Sequence, residues 1–197
     1  MTSTPSRIVA VAAALATAVV VSSCSKTEDH TQHATSTAST SEAVAAHNAD
    51  DVMFAQMMIP HHQQAVDLAA MAAVHTTNQA VRMLAARISE DQQSEIATMK
   101  ALLVQWDVDP ATGDHSGHGA AMQGMVDDAT MTKLKSLNGP QFDTLWLQAM
   151  IGHHQGAIEM AKAEIANGQS ADLTAMAKSI ITAQQAEIDQ MKQMLGG

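Results

Sequence analysis

The chain has no tyrosine, two phenylalanines and two tryptophans, so its interior cannot rest on aromatic packing. A single cysteine, Cys24, excludes an internal disulfide and any dithiol chemistry. Basic residues are scarce. Ten Lys and Arg stand against 20 Asp and Glu, a formal net charge of -10. Phosphate backbones are bound through clustered Lys and Arg, so this balance argues against a nucleic-acid partner. An acidic surface favours cations instead. The chain also lacks the Glu-x-x-His pairs of di-iron bundles, a His-Glu-x-x-His hydrolase motif and a nucleophile elbow. It therefore points away from an enzyme. Methionine is abundant, with 15 residues, and the core is expected to be built from Ala, Leu, Ile and Met.

The N-terminus reads as an address rather than a fold. Arg7 precedes an apolar run from Ile8 to Val21. That run falls short of the roughly 20 residues needed to span a bilayer. A basic start, a short apolar stretch and small residues before a cut read as an export signal. Val21-Ser22-Ser23-Cys24 resembles a bacterial lipoprotein signal, so residues 1–23 are expected to be removed and Cys24 lipidated. The anchor would hold the protein on the extracytoplasmic face of the cell membrane. Residues 24–49 are rich in Ser, Thr and Ala and lack the apolar side chains to pack, as in a flexible tether. Residues 50–197 suit one domain.

That domain is an internal duplication. MMIPHHQQAVDLA, around His61-His62, recurs as AMIGHHQGAIEMA, around His153-His154. DQQSEIATMK recurs as AQQAEIDQMK at the same offset, giving repeats of about 50–105 and 142–197. Apolar spacing of three and four predicts helices over 50–74, 78–105, 140–167 and 171–195. A short helix over 128–137, capped by Asp127, sits in the central connection. Each long pair is a helical hairpin, and two hairpins make an all-α four-helix bundle with a pseudo-twofold axis. Pro60 and Gly152 precede the histidine pairs. The first helix is expected either to bend or to break at Pro60.

On a helical wheel of about 100° per residue, His61 and His62 fall on opposite shoulders of the apolar stripe. Gln92 and Glu95 lie on the apolar face of the second helix, as do Gln184 and Glu187 in the copy. An unpaired buried carboxylate is expensive, so each glutamate needs a partner from the facing helix. The histidines supply it. In a structural reading these are core hydrogen bonds, completed by Gln92 and Gln184, with Asp51 and Asp143 as first-turn acids suited to a helix start. In a metal-binding reading, imidazoles and thioethers together suit copper. The candidate ligands are then His61, His62, Glu95 and Met99, with His153, His154, Glu187 and Met191 in the copy. Met57, Met58 and Met150 are further thioethers. The connection HSGHGAAMQGM adds His115, His118, Met122 and Met125 as a mobile second site. Methionine-rich faces would also allow self-association. The rival to a copper role is a metal-free structural or interaction module at the membrane.

The blocks Phe54-x-x-x-Met58-x-x-His61-His62-x-x-Ala65 and Met150-x-x-His153-His154-x-x-Ala157-Ile158-x-Met160-Ala161 resemble the bacterial DUF305 family. Gln92-x-x-Glu95-Ile96-x-x-Met99 and Gln185-x-Glu187-Ile188-x-x-Met191 fit the same pattern, and the likeness runs from Asp50 to Leu195. The resemblance implies a ferritin-like helical bundle, exported or lipid-anchored, with copper association in some relatives. Two departures stand out. Gly156 occupies a position that is often acidic in relatives. Phe54 follows Asp51 by three residues, whereas Phe142 immediately precedes Asp143.

Overall fold

Capping chemistry sets where the helices begin. In the computed structural model, which describes residues 46–110 and 123–196, α1 spans Ala49–His75. Its cap is reciprocal. Asn48 accepts from the Asp50 and Asp51 amides, and Asp51 Oδ2 accepts from the Asn48 amide at 2.6 Å. α2 spans Gln79–Gln105 behind Asn78, whose side chain accepts from Ala80 and Val81. α3 spans Asp128–Ser136, with the Asp127 carboxylate accepting from the Thr130 amide at 2.7 Å. α4 spans Gly139–Asn167, with proline in its first turn, and α5 spans Ala171–Gly196. These bounds match the expected helices to within about two residues at each end, the usual uncertainty of helix termini. Among the described residues there is no strand, and no helix is long and apolar enough to cross a membrane.

Three residues join α1 to α2 and three join α4 to α5, which makes the two hairpins equivalent. α1 and α4 pack on each other at the centre. α2 and α5 lie outside them and touch only lightly. The result is a ferritin-like four-helix bundle from a duplicated hairpin, with α3 resting on α1 and α4 through the buried Leu134. α1 runs unbroken through Pro60, so the sequence's choice between a bend and a break is settled against a break.

Two apolar clusters flank the middle of the bundle. One joins Leu68, Leu84 and Ile88 of the first hairpin to Trp146, Met150 and Met191 of the second. The other joins Phe54, Met58 and Met99 to Ala157, Leu173 and Ile180. The two clusters exchange under the repeat: Phe54, Met58 and Met99 of one correspond to Trp146, Met150 and Met191 of the other. Between them, at the sequence level of the histidines, lies a polar layer.

Candidate functional site

All four histidines of the repeated pairs are completely buried. The wheel put them on the two shoulders of a stripe. Both shoulders are covered, because α1 packs against α2 on one side and α4 on the other. His62 turns to α2, where Nε2 meets Glu95 Oε2 at 2.7 Å. His154 turns to α5 and meets Glu187 Oε2 at 2.8 Å. Both pairs are 33 residues apart in sequence, as a duplication requires. The inner two rings meet across the axis. His61 and His153 lie with centroids 3.8 Å apart and planes tilted by 36°. His153 Nε2 sits 3.0 Å from the His61 carbonyl oxygen.

Partner chemistry fixes the tautomers. A carboxylate and a carbonyl can only accept, so the Nε2 of His62, His154 and His153 carries the proton and donates. In a neutral ring that leaves Nδ1 as the acceptor. Among the described residues, none of these three Nδ1 atoms has a hydrogen-bond partner. His61 meets the Gln123 backbone, yet neither of its ring nitrogens completes a bond of ordinary geometry among the described residues. Burial, then the neighbouring His62, pushes the His61 pKa down to about 3. Burial, then His61, holds His153 well below the usual imidazole range. Both rings are therefore neutral at neutral pH. Gln92 and Gln184 are buried beside this layer, as expected, but their amides make no hydrogen bond among the described residues. They do not complete the network that the sequence suggested.

The two copies are not equally sealed. The Glu95 side chain is 22% exposed and that of Glu187 is 9%. Arg87 of α2 also reaches across to Glu187, at 3.7 Å. Met99 and Met191 are buried, Met99 in the same apolar cluster as Met58 and Met191 in the same cluster as Met150. Met57 is buried as well. His115, His118 and Met122 lie outside the described residues, and Met125 is half-buried. Among the described residues, no group of three or more His, Cys, Asp or Glu side chains is arranged to hold a metal ion.

Asp51 does more than suit a helix start. It is fully buried and ties α1 to the α4–α5 turn, accepting from the amides of Gln169 at 3.1 Å and Ser170 at 2.9 Å. Burial works to raise its pKa, and the amides of Ser170, Asn48 and Gln169 outweigh it, for a net lowering. Glu164 lies alongside. A Cβ on Gly168 would fall 2.6 Å from the Glu164 carboxyl carbon and 2.8 Å from Asp51 Oδ1. Burial first, then its hydrogen bond to Asp51, pushes Glu164 up to about 8. The sequence reading missed Glu164. Its counterpart in the first repeat is Ala72, and that mismatch was the available signal.

The last turn of the central connection also belongs to this region. Gln64 of α1 grips Val126 with two bonds, donating to its carbonyl and accepting from its amide, both at 2.8 Å.

Comparison with known proteins agrees with this architecture. The family model described as a domain of unknown function, DUF305, matches residues 51–195. Solved structures align closely. A DUF305 protein from Streptomyces coelicolor is 32% identical, with a TM-score of 0.71 over 75% of this chain and 92% of that one. A DUF305 fragment from Deinococcus radiodurans is 33% identical, with a TM-score of 0.69 over 76% of this chain and 97% of that one. CopM in its Cu(II)-bound form is 36% identical, with a TM-score of 0.63 over 74% of this chain and 95% of that one. CopM has also been solved with Cu(I) and with silver. A search of curated proteins finds no match. The chain belongs to the DUF305 family.

Proposed function

We propose that this protein binds copper reversibly outside the cytoplasm and buffers or sequesters it at the cell surface. One observation carries the proposal. His62, His153 and His154 each donate Nε2–H to an oxygen and leave a buried Nδ1 that meets no donor among the described residues. A histidine that donates one ring N–H to a carboxylate while the other nitrogen faces a metal is the usual orientation of a metal-ligating imidazole. Glu95 and Glu187 would be the orienting carboxylates. His61, His62, His153 and His154 would be the ligands, with Met99 and Met191 as buried thioethers of the kind that select Cu(I). The ion would satisfy buried nitrogens that have no partner among the described residues.

Buried imidazoles beside buried thioethers favour an ion content with few ligands. Cu(I) is such an ion, since imidazole and thioether can hold it in low coordination. CopM, at 36% identity and crystallised with Cu(II), Cu(I) and silver, supports the same choice. His115, His118, Met122 and Met125 form the second, capturing site in this reading. Lipidation at Cys24 supplies the anchor, and the Streptomyces coelicolor relative, described as secreted, supports export.

A second reading keeps the histidines as register-setting core bonds without metal. Their full burial and the paired His–Glu bonds favour it. Competition titration of Cu(I) against a chromophoric chelator separates the two. Wild type should withdraw Cu(I) from the chelator, and the His62→Gln/His154→Gln variant should do so at least tenfold less well. A folded wild type that withdraws none leaves only the structural role, and a variant that withdraws as much leaves the paired histidines with that role alone.

A further inference from the structure

We propose that the strap Gln123–Val126 is a removable cover over the paired His61 and His153 rings, and that its release is the step that admits a soft monovalent ion to them. The identity of the ion rests on the copper-binding reading above. The cover itself rests on geometry alone.

Gln64 and Gly156 are equivalent positions in the two repeats, each two residues after its histidine pair. They hold the same strap by different means. Gln64 binds both polar groups of the Val126 backbone. Gly156 makes room: a Cβ there would run into the Gln123 carbonyl oxygen and lie 2.8 Å from Gly124 Cα. Gly124 has a φ of +89°, which suits only glycine, and its own Cβ would lie 2.7 Å from the Gly152 carbonyl. The strap thus lies backbone on backbone over the stretch of α4 that carries His153. It bridges both hairpins, and the Gln123 backbone faces His61.

The strap is held more lightly than the bundle. Two hydrogen bonds to one side chain and the half-buried Met125 and Val126 secure it, whereas two apolar clusters secure the helices. Segments with few buried apolar contacts open before the global fold does. Its opening would uncover the neutral inner imidazoles without unfolding the bundle.

Diethylpyrocarbonate, which acylates neutral imidazole, tests the cover without any metal. Gln64→Ala removes the tie, and Gly156→Ala denies the strap its seat. Peptide mass spectrometry should show His61 and His153 labelled at least tenfold faster in both variants, with far-UV circular dichroism unchanged. If Gly156→Ala fails to fold, Gln64→Ala carries the test alone. Unchanged labelling in a folded Gln64→Ala overturns the cover. Stopped-flow binding of silver(I) should quicken by a similar factor. Faster labelling with no faster silver binding overturns the access step. Faster labelling with no silver bound by any form overturns the metal reading and leaves the cover standing.

Discussion

Replacing Glu164 with glutamine should flatten the alkaline side of the stability profile and steepen the acid side. The magnitudes follow from three buried groups. Glu164 is raised from 4.5 to about 8, so between those values the folded protein keeps a proton that the unfolded chain has lost. Its contribution is full below 4.5 and is lost as the pH rises through about 8. The slope is about 1.4 kcal/mol per pH unit. His61 and His153 act in the opposite sense. Their folded pKa values lie below the ordinary 6.5, so unfolded rings gain protons that folded rings refuse. Their contribution is present above 6.5 and is lost as the pH falls below it. Above 6.5 the two imidazoles drop out and Glu164 sets the slope. Below it the two imidazoles outweigh the one carboxyl, again by about 1.4 kcal/mol per unit. Wild-type stability should therefore peak near the imidazole value. Asp51, also lowered, enters only in stronger acid. In Glu164→Gln the amide can still donate to Asp51 but cannot ionise. The alkaline limb should become flat, and the acid limb should double to about 2.7 kcal/mol per unit. At about pH 8 the variant should be the more stable by up to roughly 4 kcal/mol. Urea unfolding followed by far-UV circular dichroism at three pH values measures this, provided m stays constant. A wild type with no alkaline decline, or a variant that keeps it, would refute the assignment of Glu164.

The two glutamates of the polar layer should differ. Glu187→Ala strands His154 in a nearly closed pocket and should cost about 1–3 kcal/mol, whereas water can reach the space left by Glu95→Ala, so that cost should be smaller. Equal urea midpoints for the two variants would contradict the difference in sealing. Trp146→Phe removes the 2.8 Å bond from the indole nitrogen to the Leu68 carbonyl, in a fully buried site that joins the hairpins. It should cost on the order of 1–3 kcal/mol, read as a lowered thermal midpoint.

Most of the fold was legible because two signals agreed. Apolar spacing gave four long helices, and the repeat gave their pairing. The His62–Glu95 and His154–Glu187 bonds were legible for the same reason, since an inward carboxylate needs a partner and the facing helix offered one. The close approach of His61 to His153 was not. It depends on how one hairpin docks on the other, which periodicity within a helix cannot encode. Asp51 read as a first-turn acid because its true partners, the Gln169 and Ser170 amides, are brought to it only by the α4–α5 turn. Gln92 and Gln184 face inward as expected, yet among the described residues no donor or acceptor meets them. The mismatches between repeats proved as informative as the matches: Glu164 opposite Ala72, and Gly156 opposite Gln64, mark where the pseudo-symmetry gives way to a specific job.

Anomalous diffraction from crystals soaked in silver(I) tests the central claim most directly. A peak should appear in the polar layer, within bonding distance of Nδ1 atoms of the His62, His153 or His154 rings. Silver bound only to exposed methionines, with those nitrogens unoccupied at saturation, would contradict a metal role for the paired histidines.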